Sequence, residues 1–440
     1  MVASSTTRSL FVSRRQIPLI VFVSLLELSS RAHKVSDDPL ILWWDDMGNI
    51  DRLTSCGKYI CQITVNRARM TEQNHMAYIF DGTGFGETGF PFPRQREHIW
   101  GLFMNESPKN NEWLISQDEV ISLFNYTSTF RRESHCPFPT QWLSHISSLT
   151  DVTYLVRTSE KTRLRKEEGL APIIFVHTDC VTPSDRRTYM KMLQKYVPID
   201  SYGTCDHNKD FPNSTNFGTM AGMLSPEFHR FVAQYKFAFA FENAVCPDYI
   251  TEKLWRPLVA GTVPIVFGSP TVKDFLPAEK SAIVITDFDN IEEVARHINY
   301  LDQHDDEYER YLQYKRTGIQ NEYLVEVERK KTLSNGIDIF KKFECFLCRK
   351  LHHAIRNHDE GATVSQGERT HYGCPKPMMF NGDGHYVVPR HSGYDVYEKA
   401  RHRSKAIKHF HDRNINATFD DIENYAKMLQ RTCHNVHDEL

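Results

Sequence analysis

From about residue 170 the chain alternates short apolar runs with segments whose apolar positions recur every three or four residues. Pro172-Ile-Ile-Phe-Val176, Ile199-Asp-Ser-Tyr202, Phe237-Ala-Phe-Ala-Phe241, Thr262-Val-Pro-Ile-Val-Phe-Gly268 and Ile283-Val-Ile-Thr286 read as strands, being short, apolar and bounded by turn residues. Between them 184–196, a segment opening at Asp248 and closed by Gly261, and 291–301 read as helices, with Ser184 as one N-cap and Asp289 or Asn290 as another. Strands alternating with helices predict an α/β fold with a parallel sheet and ligands at its C-terminal edge.

Residues 39–165 are more broken. His98-Ile-Trp-Gly-Leu-Phe-Met104 reads as a strand stopped by Asn105-Glu-Ser-Pro108, and Asp81-Gly-Thr-Gly-Phe-Gly86 as a tight turn, since no Lys-Ser/Thr follows as a phosphate loop requires. Beyond Cys348 the chain turns polar and holds eleven of the 21 histidines without metal-ligand spacing, which predicts a solvated or loosely packed extension. The expected organisation is a leader or anchor over 1–32, one domain over 33–168, a second over 169–348 and a polar tail over 349–440.

The 440 residues carry a net charge of −3, with no basic stretch interleaved with aromatics, so nothing points to nucleic acid. Near the start, Arg14-Arg15 precede Ile17-Pro-Leu-Ile-Val-Phe-Val-Ser-Leu-Leu26, a run shorter than the ~20 residues of a membrane span. It fits the core of a cleaved signal peptide or a short type II signal anchor. His437-Asp-Glu-Leu440 reads as a retention signal of the endoplasmic reticulum, read by its receptor; a Golgi membrane is the alternative address. Asn125, Asn213 and Asn416 head N-x-S/T sequons, while Asn105-Glu-Ser is discounted because Pro108 follows. In such a compartment ten cysteines favour disulfides. For Cys345-x-x-Cys348 a zinc site lacks a second ligand pair and a thioredoxin-like motif lacks its βαβ setting, so structural bridging is preferred.

The candidate chemistry centres on Phe241-Glu-Asn-Ala-Val-Cys-Pro-Asp-Tyr-Ile-Thr-Glu-Lys-Leu-Trp255, where a buried strand gives way to a helix start. Such a start offers unpaired N–H groups to a phosphate, Lys253 adds a mobile charge, and the Glu252 carboxylate can accept from two vicinal ribose hydroxyls. These residue types leave two readings open, a nucleotide-diphosphate site and an ordinary charge pair on a solvated helix. Asp287-Phe-Asp289 could be a metal-binding D-x-D, but Asn290-x-x-Glu293 behind it makes a helix cap the better reading.

Phe241-Glu-Asn243, Asp248-Tyr-Ile-Thr-Glu-Lys-Leu254, Ala260-Gly-Thr-Val-Pro264 and Gly268 together resemble the donor-site signature of the α1,3-fucosyltransferases, glycosyltransferase family ten. Glu106-Ser-Pro108, the stretch Leu123 to Ser134 and Cys345-x-x-Cys348 resemble further landmarks of that family, so the likeness covers roughly residues 40 to 350. Within the family, Glu242 to Pro257 and Ile199-Asp-Ser-Tyr-Gly203 are similar to the divergent vertebrate types ten and eleven, a branch associated with the endoplasmic reticulum and with O-fucosylation of Ser or Thr in small cysteine-rich domains.

The resemblance implies a GT-B architecture, two Rossmann-like domains facing across a cleft. It implies GDP-fucose as donor, a luminal glycoprotein as acceptor, inversion at the anomeric carbon and no obligatory metal. The acceptor hydroxyl would belong either to Ser/Thr or to N-acetylglucosamine of a glycan. Glu252 would take the ribose; Lys253 and Arg186, with Arg187 as the alternative, would take the pyrophosphate. Tyr249 would pack beside the nucleotide, and Glu242 with Asn243 would lie near the fucose. By the same analogy Cys56 pairs with Cys345 and Cys61 with Cys348; among the rest Cys180–Cys205 is the least arbitrary pairing. Glu106 at a strand end is the expected base, with Glu133 between Arg132 and Ser134 as its competitor. Two rivals remain, a silent glycan-binding module and a luminal thiol-disulfide oxidoreductase.

Overall fold

The computed structural model describes residues 38–45, 48, 50–73, 75–85, 90–212, 215–333, 338–356, 365–389 and 391–437. The 1–32 segment, Gly86, Asn213 and the last three residues of the terminal tetrapeptide lie outside these. Among the described residues no helix is long and apolar enough to cross a membrane.

Two parallel sheets organise the chain. In the first, β1 (Leu40–Trp43), β3 (Tyr59–Thr64), β4 (Met76–Asp81), β5 (Ile99–Met104) and β6 (Tyr126–Thr129) pair in the order β3-β1-β4-β5-β6, and β2 (Asp51–Cys56) adds an antiparallel edge on β3. In the second, β7 (Ile173–Val176), β8 (Ile199–Tyr202), β9 (Phe237–Phe241), β10 (Val263–Phe267) and β11 (Ile283–Val284) run β11-β10-β9-β7-β8, all parallel. Both sheets therefore follow the 2-1-3-4-5 order of a doubly wound fold, whose ligands lie at the C-terminal edge where the winding reverses. In the second sheet that point falls between β7 and β9. The architecture is GT-B.

Strand residues alternate between two buried faces, as a covered parallel sheet requires. On the second sheet Phe237, Phe239 and Phe241 pack with Tyr189 and Ile298 on one side, while Ala240 and Val266 meet Leu254, Trp255 and Leu258 on the other. The Glu252–Ala260 helix ends at Gly261, whose φ of 73° closes it in the left-handed conformation that glycine adopts without strain.

Two expected boundaries move. The Thr158–Glu167 helix, placed by the sequence in the first domain, packs on the second: Lys161 Nζ donates to the carbonyls of Tyr235 and Gly261 at 3.0 and 2.6 Å. Conversely, Ile339–Arg356 returns to the first sheet. Disulfides Cys56–Cys345 and Cys61–Cys348 fasten it there, and Glu344 accepts from Trp43 Nε1 at 3.0 Å and Arg52 Nη2 at 2.8 Å. With each sulfur of the C-x-x-C committed to a separate disulfide, the thiol-exchange reading fails.

The tail is not a loose extension. After residue 365 it lays Tyr372, Cys374 and Ile407 into the core of the first sheet and Phe380 into that of the second. It then forms a short hairpin (Met378–Phe380 with Tyr386–Pro389) and two helices, His391–Asp412 and Phe419–His437. Cys246–Cys374 ties it to the loop after β9, and Cys180–Cys205 joins the loops after β7 and β8. The misreading has a physical cause: the buried positions of this segment are few and scattered, and its charged and imidazole groups dominate the composition.

Candidate active site

At the end of β9 the chain enters Glu242 and Asn243, and the helix that follows opens at Glu252 rather than at Asp248. Thr251 is its N-cap, with Oγ1 accepting from the Lys253 N–H at 3.4 Å. Asp248 cannot cap because its carboxylate is held elsewhere: Arg132 donates to it through Nε at 3.0 Å and Nη2 at 2.7 Å, and Thr271 Oγ1 at 2.7 Å. Its φ of 60° turns the backbone so that Tyr249 faces the first sheet.

The Glu242 carboxylate is buried and accepts from the Thr251 N–H at 2.8 Å and its hydroxyl at 2.8–2.9 Å, with Lys253 Nζ at 3.4 Å. Lys253 Nζ also lies 3.2 Å from Glu252 and 3.0 Å from Thr251 Oγ1. Burial pushes the Glu242 carboxyl up. Burial would pull Lys253 down, but Glu242 and Glu252 together hold it above its ordinary value, so it remains a cation. Arg186, in the first turn of Arg186–Leu193, reaches the same place: Nη1 donates to the Phe241 carbonyl at 3.2 Å and Nη2 to that of Asp179 at 3.4 Å, while Nε has no partner among the described residues. Arg187 turns away to Asp206 at 2.6 Å. Ser184 does not cap this helix; its Oγ donates to the Glu242 carbonyl at 2.6 Å.

Glu106 stands two residues past β5. Its Oε2 accepts from the Tyr249 hydroxyl at 2.9 Å and its carbonyl from the Tyr372 hydroxyl at 2.9 Å, while Asn111 Nδ2 donates to Tyr372 Oη at 3.0 Å. Tyr249 is thus buried against Phe130, with ring centroids 4.9 Å apart, and links the loop after β9 to Glu106. Of the two arginines next to Glu133 only Arg131 pairs with it, at 3.2 Å. Lys109 pairs with Asp179 between the two domains.

The geometry therefore brings together Glu242, Asn243, Glu252, Lys253 and Arg186 at the edge of β9, with Tyr249 connecting them to Glu106. The sequence reading missed Arg132, Asn111, Tyr372, His177, Arg256 and the Cys246–Cys374 bond. Only the helix-start expectation drew attention to Asp248, and nothing local marks its partner 116 residues away. Asp287 pairs with Lys273 at 2.7 Å, and Asn290 Oδ1 caps the next helix by accepting from the Glu293 N–H at 3.0 Å. Among the described residues one metal-like cluster occurs, Cys61, Cys348 and His352, and both its cysteines are in a disulfide. Asn125 is 7 % exposed and its Oδ1 accepts from Trp100 N–H and Arg94 Nη2, both at 2.7 Å. Asn125 is thus held by its oxygen inside the folded domain, whereas Asn416 is exposed.

Lys253→Ala removes a cation fed by two carboxylates and felt by any anion in ground and transition states alike. It should weaken nucleotide-diphosphate binding and slow turnover together, by roughly tenfold or more each, as read by calorimetry and initial rates.

Two family profiles match: "Glycosyltransferase family 10 (fucosyltransferase) C-term" over residues 165–366 and "Fucosyltransferase, N-terminal" over 36–141. GDP-fucose protein O-fucosyltransferase 3 of Homo sapiens is 40% identical over 398 residues, covering 88% of this chain and 82% of that protein. Its Xenopus tropicalis counterpart is 40% identical over 406 residues, covering 89% and 84%. Among solved structures, an α1,3-fucosyltransferase with GDP aligns with a TM-score of 0.42 at 17% identity, over 70% of this chain and 93% of that one.

Proposed function

The chain belongs to glycosyltransferase family 10, the fucosyltransferases, and from that premise we propose that it moves L-fucose from GDP-β-L-fucose to a Ser or Thr hydroxyl of a folded luminal protein. The single observation that carries the reading is the group Arg186, Lys253, Glu242 and Glu252 at the C-terminal edge of β9, joined through Tyr249 to Glu106 of the facing domain. The relatives' names supply the donor and the protein acceptor. Four disulfides among the described residues support an oxidising compartment.

The chemistry follows from those groups. Glu106 accepts the proton of the acceptor hydroxyl as its oxygen attacks the anomeric carbon. The bond from that carbon to the diphosphate oxygen breaks, its electron pair leaves with GDP, and the β-linked donor yields an α-linked product. Arg186 and Lys253 oppose the charge that builds on the departing diphosphate. Glu252 is held below the ordinary carboxylate range, burial being outweighed by Lys253 and Arg256, so it stays an acceptor for sugar hydroxyls. Exposed Asn416 is the proposed glycan site of the chain itself.

The test offers GDP-fucose with three acceptors: a folded cysteine-rich domain, the same domain reduced and alkylated, and an N-glycan ending in N-acetylglucosamine. GDP release and acceptor mass are read with and without EDTA. The folded domain alone should gain fucose, and EDTA should leave the rate within about twofold, because the chain's own cations meet the diphosphate. Transfer to the glycan alone would overturn the protein acceptor; loss of activity in EDTA restored by manganese would overturn the metal-independent mechanism.

A further inference from the structure

We propose that His177 is a donor-binding residue, an N–H donor to the diphosphate of the nucleotide sugar alongside Arg186 and Lys253. The inference rests on the GDP-fucose reading above and names a residue that neither the signature nor the charge pattern picks out.

His177 is the first residue past β7, the strand that flanks β9 at the reversal point of the second sheet. The residue is 6 % exposed and, among the described residues, neither ring nitrogen has a hydrogen-bond partner, although buried polar atoms are paired almost without exception. It lines a cavity together with Arg186, Lys253 and Arg256, and the Nε of Arg186 is also unpartnered there. Two buried side chains with donors unpaired among the described residues meet at one small cavity beside Lys253 and Arg256, a setting that favours an anion.

The ring is also held in place, as a binding group must be. Its centroid lies 4.0 Å from that of Phe175. Its backbone N–H donates to the Tyr202 carbonyl at 3.3 Å, and Gly203 approaches so closely that a Cβ there would stand 2.3 Å from the His177 carbonyl oxygen. Thr204 Oγ1 donates to the Thr178 carbonyl at 3.2 Å, and Cys180–Cys205 staples the two loops together. Burial first, then Arg186, pushes the imidazole down to about 4, with Asp206 and Asp179 opposing. Near neutral pH the ring is therefore uncharged and offers one N–H, which a phosphate oxygen accepts without adding a fourth cation to the cavity. Arg256, whose guanidinium carbon lies 5.0 Å over the Phe228 ring, closes the far wall and feels Glu252.

The experiment titrates GDP and guanosine separately into wild type, H177F and H177Q, with melting temperatures measured in parallel. Phenylalanine keeps the contact with Phe175 and removes the N–H; glutamine keeps a donor. GDP should bind H177F roughly tenfold or more weakly, guanosine should bind wild type and H177F equally, and H177Q should recover most of the GDP affinity. If H177F does not fold, the ¹⁵N resonance of the His177 ring in wild type decides, and it should shift with GDP and not with guanosine. Wild-type binding of GDP with no change in H177F overturns the role of His177 alone, as does an equal loss for both ligands. Failure of wild type to bind GDP overturns the donor reading and this inference with it.

Discussion

Glu106→Gln should lower fucosyl transfer by roughly 10²-fold or more while GDP-fucose still binds. The carboxylate is positioned from two sides, by the Tyr249 hydroxyl on Oε2 and by the Tyr372 hydroxyl on the backbone carbonyl. Among the described residues Oε1 carries no hydrogen bond and is the atom available to the acceptor's proton. Burial, and then Glu106 itself, raises the Tyr249 phenol well above its ordinary value, so that residue remains a donor throughout the working range. Glutamine can keep the Tyr249 contact while losing basicity, which separates a catalytic role from a structural one. Glu133, 43 % exposed and paired with Arg131, should tolerate the same change with little loss. Initial rates at saturating donor, with GDP-fucose affinity measured separately, check the pair. Near-normal turnover of the Glu106 variant would transfer the role to Glu133.

Arg132→Met should cost about 3 kcal/mol of stability, the largest loss expected from a single residue of the cleft. The Asp248 side chain is 1 % exposed and depends on Arg132, which also reaches Asp274 at 2.8 Å. Methionine would leave a buried carboxylate with the backbone N–H of residue 132 at 3.0 Å, the Thr271 hydroxyl at 2.7 Å and Arg131 at 4.0 Å, but without the guanidinium that lies against it. The figure sits at the lower end of such effects because the Arg132 side chain is 29 % exposed and water can partly replace it. Burial pushes Asp248 up, but the bonds from Arg132 and Thr271 outweigh it and hold the group below its ordinary value. The pair's contribution is therefore complete above the unfolded carboxylate value of about 3.9 and fades as pH falls through the depressed folded value. Denaturation curves of the two proteins should differ at neutral pH and converge in acid. Because Asp248 precedes Tyr249, turnover should fall as well as stability.

The second sheet was legible because its signals are local. Phe237–Phe241 and Val263–Phe267 are short runs bounded by turn residues, Gly261 ends a helix, and Asn290 begins one. The helix after β9 was misplaced by four residues because Asp248 is a good cap in isolation and its carboxylate was already engaged from the other domain. His177 and Tyr372 were invisible for the same reason. Each meets residues of other elements, Arg186 and Lys253 for one and Glu106 with Asn111 for the other. The tail's path between the two cores depends on isolated residues, Tyr372, Cys374 and Phe380, that carry no periodicity.

The central claim is that a nucleotide diphosphate sits between the end of β7 and the start of the helix after β9. Hydrogen–deuterium exchange of the full chain with and without GDP tests this directly. The account predicts slower exchange confined to 177–187 and 242–256, with the bottom edge of the first sheet around His98 and Asn125 unchanged. Protection at that far edge, or none anywhere at saturating GDP, would contradict it.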